Sequence, residues 1–238
     1  MADGLVLRWY GTGTAGPEEP DAIVREVTAL TTVASSQVPA PRLVAWSDEP
    51  PAILMTRLAG EHRLDASGSS VVLELLDAIH ATPPGASAGW TYRGYHEGFE
   101  MRRPTWWRDP RLWDRALELS AQRPNGVVEP VFIHRDFHPG NLLWVGDAVT
   151  GVIDWSDACV GPAPFDLAHY RVNIATLVGP DVADLAFPGD PVWDVEAGLG
   201  YLDVAGLDDW VGPWPGVPPS TARERVVGFL GRALAALG

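Results

Sequence analysis

The chain has 238 residues, a formal net charge of −14 and a single cysteine, Cys159. This length suits one large domain or two small ones with a substantial core. The negative charge would repel a phosphate backbone, so we expect no nucleic-acid partner, and a neutral or cationic small substrate fits better. One cysteine excludes an internal disulfide and a cysteine zinc site, and we interpret Cys159 as a small buried side chain.

Membrane insertion and export are not expected either. No apolar run approaches the roughly 20 residues of a membrane span. The opening residues "MADGLVLRWY" lack the basic start and apolar core of a signal peptide. We therefore expect a cytoplasmic protein without a membrane partner. Every basic residue is an arginine, because the chain contains no lysine.

The first 60 residues are expected to form a strand, a helix and two further strands. "GLVLRWY" alternates like a strand, and the turn-forming residues "GTGTAGPEEP" follow it. A helix is predicted from Asp21, its N-cap, with Ile23, Val24, Val27 and Leu30 on one face. "PRLVAW" and "AILMTRL" indicate a pair of strands.

The remainder of the chain is expected to be mainly helical. Helical periodicity marks "SSVVLELLDAIHAT", capped at Ser69 or Ser70, and also "PRLWDRALELSAQ" and "TARERVVGFLGRALAAL". "VFIHRDFHPGNLLW" and "AVTGVIDWSDA" indicate short strands around loops, whereas Gly179 to Pro219 gives no clear assignment. We predict an α+β chain in which a small lobe of residues 1–60 joins a mainly helical lobe of residues 61–238 near Gly60.

Several polar side chains interrupt the apolar runs of residues 131–144. Asn141 follows Asp136 by five residues, and Asp154 comes thirteen residues later, after the apolar "GVI". Phosphoryl transfer needs oxygen ligands for a metal that neutralises phosphate charge, and a carboxylate that orients the acceptor hydroxyl. Pro139 and Gly140 favour a tight loop that would return Asn141 to Asp136.

These residues carry a family resemblance. "HRDFHPGNLLW" followed by "GVIDWSDACVGPAPFDLAH" resembles the catalytic loop and metal-binding segment of the aminoglycoside phosphotransferase and choline kinase group, distant relatives of protein kinases. The resemblance implies a protein-kinase-like two-lobe fold with ATP as co-substrate and Mg²⁺ as cofactor. It also implies transfer of the γ-phosphate to a hydroxyl of a small molecule that is aminoglycoside-like, choline-like or another metabolite.

The same resemblance implies roles for the residues of the two segments. Asp136 would be the catalytic base that accepts the proton of the acceptor hydroxyl. Asn141 and Asp154 would hold magnesium against the ATP phosphates. His134 and Arg135 would orient the loop.

Near the start of the chain, the resemblance assigns a nucleotide site. Arg8 falls where the family usually has a lysine that contacts the phosphates, and Glu26 falls where a helix glutamate pairs with that lysine. Arginine keeps the charge but changes its shape. The segment "LMTRL" resembles the hinge whose backbone binds adenine, which implicates Met55, Thr56 and Leu58.

The chain departs from the family at the N-terminus. In these kinases two strands and a turn that covers the phosphates come before the strand with the basic residue, but only seven residues precede Arg8. "GTGTAG" is no substitute, because it follows the strand and lacks the lysine of a P-loop. We expect either a chain that begins too late or a protein with a reduced N-terminal lobe. In the second case, the alternative function is a non-catalytic kinase-like protein that binds a small molecule or a partner.

Other interpretations of the loop residues remain open. His134, Asp136 and His138 could be three metal ligands of a hydrolase, although this period of two conflicts with the Pro-Gly turn that follows. His80 is expected to be a helix-end or core histidine. Asp166, in "FDLAH", matches a family position that is mainly structural.

Less specific interpretations also apply to the proposed site. Asp136, Asn141 and Asp154 could form a structural turn network. Arg8 could be a surface or packing arginine, and Glu26 a solvated helix residue.

The chain contains two groups of tryptophans. Trp106, Trp107 and Trp113 are expected in the core, with an aromatic wall for a cationic substrate as the alternative. The second group combines tryptophans with aspartates. These aspartates are either solvated loop residues or, together with the tryptophans, the lining of a site for an amine-bearing substrate. Its members are Trp193, Trp210, Trp214, Asp190, Asp194, Asp208 and Asp209.

Overall fold

The computed structural model describes residues 4–10, 21–94, 97, 100–121, 129–203 and 212–238. Within these residues the chain forms seven α-helices, two 3-10 turns and seven strands in three small sheets. The segment "GTGTAG" and the residues Asp208, Asp209 and Trp210 lie outside the described residues. No described helix is long and apolar enough to cross a membrane.

The N-terminal elements form a three-stranded antiparallel sheet with a helix. Strands β1 (Leu5–Trp9), β2 (Leu43–Asp48) and β3 (Pro51–Thr56) lie in the order β1-β3-β2. Helix α1 (Ala22–Val33) follows β1 in the chain and contacts β2 and β3. The predicted order of strand, helix, strand and strand is confirmed.

Helix α1 buries a different face from the predicted one. Ile23, Glu26 and Leu30 are buried, whereas Val24 is exposed. The prediction was wrong at Val24 because hydrophobicity alone located the face, whereas the buried face includes Glu26, whose charge is paired with Arg8. Asp21 stands at the N-cap, but its side chain makes no capping hydrogen bond.

Helices dominate the rest of the described chain. Their bounds are α2 (Ser69–His80), α3 (Pro110–Ala121), α4 (Ala163–Val178), α5 (Pro180–Ala186), α6 (Pro191–Asp203) and α7 (Pro219–Ala236). Helix α4 lies at the centre and packs against α5, α6 and α7. The N-cap of α2 is Gly68 rather than a serine, because the backbone there is left-handed, with φ of 73°.

Two short antiparallel pairs position the loops that carry the site. Strand β4 (Val131–Ile133) pairs with β7 (Cys159–Gly161), and β5 (Leu142–Val145) pairs with β6 (Ala148–Val152). Residues 134–141 therefore connect β4 to β5, and residues 153–158 connect β6 to β7. The two connections run side by side.

The backbone at residues 60 and 61 packs closely against strand β5. Glu61 exchanges backbone hydrogen bonds of 3.0 and 2.9 Å with Trp144. Gly60 has φ of 138°, and a Cβ there would lie 2.9 Å from the Trp144 nitrogen. Only glycine fits this position.

The first tryptophan group is core. Trp107 and Trp113 are 1% and 2% exposed, and their rings meet edge to face at 5.2 Å. Trp106 packs on Trp107. Trp107 and Trp113 are therefore too deeply buried to form an aromatic wall for a cationic substrate. Cys159 is buried, as predicted, and burial raises the pKa of its thiol to about 12.

Candidate active site

The loop after β4 is held by a buried carboxylate. Asp166, in the first turn of α4, accepts the backbone N–H of His134 at 3.0 Å and that of Arg135 at 2.8 Å. Nε2 of His80, the last residue of α2, lies 3.0 Å from Asp166 Oδ2. The bonds anchor a backbone in which Arg135 is left-handed, with φ of 68°. Asp166 therefore fixes the position of the next residue, Asp136.

Three side chains surround the Asp136 carboxylate. Nε2 of His169 lies 3.2 Å from Oδ1, and Nε2 of His138 lies 3.5 Å from Oδ2. Asn141 donates from Nδ2 to Oδ2 at 3.2 Å. The Gly140 N–H donates to Nδ1 of His138 at 3.0 Å, so His138 presents an N–H at Nε2 to the carboxylate. Both oxygens of Asp136 are oriented by donors.

These contacts set the protonation state of Asp136. Burial alone would raise its pKa, but hydrogen bonds and electrostatic attraction from His138 and His169 outweigh that effect and hold the pKa well below its usual value. At neutral pH the side chain is therefore a carboxylate, which can accept a proton or a hydrogen bond but cannot donate one.

Asn141 and Asp154 lie on the two adjacent loops. The Ile153 N–H donates to the Asn141 carbonyl at 3.0 Å, which brings Asp154 beside Asn141. The Asn141 amide nitrogen also donates to the Asp136 carbonyl at 2.9 Å, so its side-chain oxygen is left for another ligand. Asp154 receives hydrogen bonds on Oδ1 from Arg8, at 2.7 Å, and from Ser156, at 2.9 Å.

This donor set fits magnesium. An amide oxygen and a carboxylate are hard oxygen ligands, and Mg²⁺ typically takes one or two such groups plus water and substrate phosphates. Among the described residues no group of three or more His, Cys, Asp or Glu side chains could hold a metal ion by itself.

Arg8 joins three elements. Its Nη1 lies 3.0 Å from Glu26 Oε1 and 2.7 Å from Asp154 Oδ1, so β1 is tied to α1 and to the β6–β7 loop. Glu26 is 1% exposed, and the Tyr10 hydroxyl donates to its other oxygen. Burial raises the pKa of Glu26 to about 7, although Arg8 lowers it. A solvated Glu26 is excluded.

The candidate adenine hinge is partly occupied by sheet bonds. Met55 is buried, and the N–H groups of Thr56 and Arg57 donate to the carbonyls of Arg42 and Gly4 at 3.0 and 2.9 Å. The N–H groups of Thr56 and Arg57 are therefore already used within the sheet.

The hydrolase interpretation finds no support in this geometry. His134 is fully buried, and its Nε2 lies 3.0 Å from the Ile153 carbonyl rather than beside Asp136 and His138. Its ring packs on Trp155 at 4.5 Å. His134 thus ties one loop to the other.

The second tryptophan group is divided by the fold. Trp193 and Asp194 are 6% and 3% exposed, and Asp194 pairs with Arg171 at 3.0 Å. These two residues therefore belong to the interior and cannot line an amine site. Trp214 alone of the described tryptophans in the group reaches the candidate site, edge-on to His138 at 5.6 Å.

Sequence reasoning did not single out His169. It follows Asp166 by three residues, which is about one helical turn. A helix over this segment would have placed both side chains on one face, toward the loop. Ser156 and Tyr10 were missed as well, because nothing local to them indicates Asp154 or Glu26 as partners.

The fold and these loops define a class, the kinase-like phosphotransferases. The model of the phosphotransferase enzyme family, APH, matches residues 4–214. The chain therefore belongs to that family. N-acetylmuramate/N-acetylglucosamine kinase of Pseudomonas aeruginosa is 33% identical over 76 residues, and homoserine kinase of Methylocella silvestris is 42% identical over 50 residues. The matched segments span 32% and 21% of this chain, and 21% and 15% of those relatives.

Solved structures share the fold. Aminoglycoside phosphotransferase APH(4)-Ia, in a ternary complex with AMP-PNP and hygromycin B, superposes with a TM-score of 0.62 at 18% identity, over 99% of this chain and 87% of its own. Choline kinase LicA from Streptococcus pneumoniae superposes with a TM-score of 0.65 at 12% identity, over 98% and 87%. The predicted α+β, protein-kinase-like two-lobe fold is confirmed.

Proposed function

We propose that this protein is an ATP-dependent phosphotransferase that moves the γ-phosphate to a hydroxyl of a small molecule. The observation that supports it is the convergence of Asp136, Asn141 and Asp154 on two loops joined by the hydrogen bond from Ile153 to Asn141. In this proposal residues 1–60 bind the nucleotide, and residues 61–238 carry the catalytic loop and the acceptor site.

Asp136 is the base in this proposal. Its ionised carboxylate accepts a hydrogen bond from the acceptor hydroxyl and takes the proton as the oxygen attacks phosphorus. A weakly basic carboxylate suits this task, because phosphoryl transfer depends mainly on orienting the nucleophile and on stabilising charge. His138, His169 and Asn141 fix the rotation of the carboxylate. His134 and Arg135 fix the loop through Asp166.

Asn141 and Asp154 would hold magnesium, which supplies positive charge against the ATP phosphates when it is bound. Arg8 lies beside Asp154 and would contact the phosphates in the place of the family's lysine. Glu26 keeps the Arg8 guanidinium in that direction. The guanidinium has five N–H donors, so Arg8 can keep its contacts with Glu26 and Asp154 through Nη1 and donate to a phosphate oxygen through its other nitrogens.

The acceptor carries a hydroxyl and is neutral or cationic. The net charge of −14 would repel an anionic acceptor over long range. Trp214, beside His138, offers an aromatic edge next to the base. The structures that share the fold include an aminoglycoside phosphotransferase in complex with hygromycin B and a choline kinase, and the acceptor proposed for this chain is an aminoglycoside-like, choline-like or other hydroxylated metabolite.

Calorimetric titration of ATP tests the proposal. We expect binding in magnesium that is lost in EDTA and in Asp154→Ala. Asp147→Ala is the matched control, because Asp147 is fully exposed on the β5–β6 turn. Binding that survives both EDTA and Asp154→Ala, or no binding by the intact chain, would contradict the proposal.

A further inference from the structure

The carboxylate of Asp154 has a positive charge of the chain directly beside it. Arg8 Nη1 lies 2.7 Å from Asp154 Oδ1, and the Ser156 hydroxyl donates to the same oxygen at 2.9 Å. The contact joins β1 to the loop between β6 and β7, although 146 residues separate Arg8 from Asp154 in the chain. The chain itself therefore supplies a cation to this carboxylate.

Further contacts keep Arg8 in this position. Its Nη1 also lies 3.0 Å from Glu26 Oε1, and its guanidinium carbon lies 5.0 Å from the centre of the Tyr10 ring. The Tyr10 hydroxyl in turn donates to the other oxygen of Glu26. Because Glu26 is buried, movement of Arg8 away from it would leave a buried carboxylate without its cation. Arg8 is therefore a fixed charge rather than a mobile surface side chain.

A fixed guanidinium opposes the binding of a metal ion at Asp154. The charge of Arg8 is permanent, because an arginine side chain does not lose its proton in proteins. The side chains of Arg8 and Asp154 are 32% and 37% exposed, so water screens the repulsion only in part. A divalent cation bound to Asp154 would therefore share the carboxylate with Arg8 and be repelled by it at close range.

We propose that Arg8 competes with magnesium for Asp154 and thereby weakens metal binding in the absence of nucleotide. This inference rests on the proposed function, which assigns Asp154 to magnesium. The phosphates of a nucleotide carry negative charge that offsets both the metal ion and Arg8, so the repulsion is relieved when they bind. Arg8 thus makes metal binding depend on the nucleotide.

Titration with Mn²⁺ in the absence of nucleotide tests the proposal, with bound and free ion measured by electron paramagnetic resonance. Mn²⁺ is a suitable probe because it takes the same carboxylate and carbonyl ligands as Mg²⁺. We expect Arg8→Gln to bind Mn²⁺ about tenfold more tightly than the original chain, which corresponds to about 1.4 kcal/mol. Arg42→Gln, which removes an exposed arginine before β2, should bind like the original chain.

A second variant separates the charge of Arg8 from a disturbance of the fold. Glu26→Gln breaks the same ion pair as Arg8→Gln, but it keeps Arg8 beside Asp154. We therefore expect Glu26→Gln to bind Mn²⁺ no more tightly than the original chain. Tighter binding by both variants would show that loss of the ion pair, rather than removal of the Arg8 charge, opens the site, and would overturn the proposal.

The outcomes also separate this inference from the proposed function. Tighter binding in Arg8→Gln that is lost when Asp154→Ala is added supports both. Equal affinity of Arg8→Gln and the original chain, or no measurable binding by either, would overturn the inference alone, because titration of ATP with magnesium still tests the proposed function. Tighter binding that persists in the double variant would contradict both, since the ion would then bind away from Asp154. None of these measurements depends on phosphotransfer.

Discussion

The imidazole Nε2 of His169 lies 3.2 Å from Oδ1 of Asp136, although 33 residues separate the two in the chain. His138 approaches the other carboxylate oxygen. The candidate base is therefore held between two imidazoles on separate elements. This arrangement keeps Asp136 ionised and fixes the direction of its lone pairs, which is what orientation of an acceptor hydroxyl requires.

Replacement of His169 should therefore slow the reaction without weakening nucleotide binding. We expect His169→Ala to lower ADP formation from ATP about tenfold, measured with a panel of hydroxylated amines and sugars, because it removes one positioning hydrogen bond. The affinity for ATP should not change. His62→Ala, at an exposed position, is the control. Equal rates in the two variants would show that His169 does not position Asp136.

Replacement of Asp136 itself should have a larger effect. Asp136→Asn keeps the shape of the side chain but removes the base, so ADP formation should fall about 10²- to 10⁴-fold while ATP binding persists. Asp147→Asn, on the exposed turn, should have no effect. Normal turnover of Asp136→Asn would show that another group is the base.

Loss of Asp166 should affect both stability and activity. This carboxylate is fully buried and accepts two loop N–H groups. Asp166→Ala leaves these donors unsatisfied and should lower the free energy of unfolding by about 2–4 kcal/mol. Urea unfolding measures the change, with Asp114→Ala, at an exposed position on α3, as the control. If Asp166→Ala lowered the free energy of unfolding no more than Asp114→Ala does, Asp166 would not anchor the loop.

Removal of Arg8 should leave Glu26 without its cation. We expect Arg8→Ala to lower the free energy of unfolding by about 1–3 kcal/mol, because a buried carboxylate that loses its partner is destabilising. Arg42→Ala, at an exposed position before β2, should change it little. Equal stability of Arg8→Ala and Arg42→Ala would show that the ion pair between Arg8 and Glu26 does not stabilise the fold.

The raised pKa of Asp194 predicts that the stability of the protein depends on pH. Burial raises its pKa from 3.8 to about 6, although Arg171 lowers it. Because the folded chain binds this proton more tightly than the unfolded chain, the contribution of Asp194 is fully present below pH 3.8 and declines as pH rises to about 6. The decline amounts to at most about 3 kcal/mol.

A comparison with Asp194→Asn isolates this contribution. The stability of the original chain relative to the variant should fall between pH 4 and pH 6, measured by urea unfolding at each pH. Asp48→Asn, at an exposed position on β2, should show no such trend. A relative stability that rises with pH would mean that Arg171 outweighs burial and lowers the pKa of Asp194.

Local sequence patterns determined most elements of this protein. The alternation in β1, the helical periods of α1, α2, α3 and α7, and the spacing of Asp136, Asn141 and Asp154 are all short-range features. Each depends on residues close together in the chain, so each could be predicted from the sequence without knowledge of the tertiary structure. The contact between Asn141 and Asp136 is also short-range, because only five residues separate them in the chain.

Only the tertiary structure decided which faces and partners these elements received. Val24 is exposed and Glu26 is buried on α1, because the burial of a helix face depends on what covers it. Arg8 meets Asp154 across 146 residues, His169 meets Asp136 across 33, and Asp194 pairs with Arg171 in the interior. Such contacts form only when distant elements pack, and no local pattern encodes the distance between them.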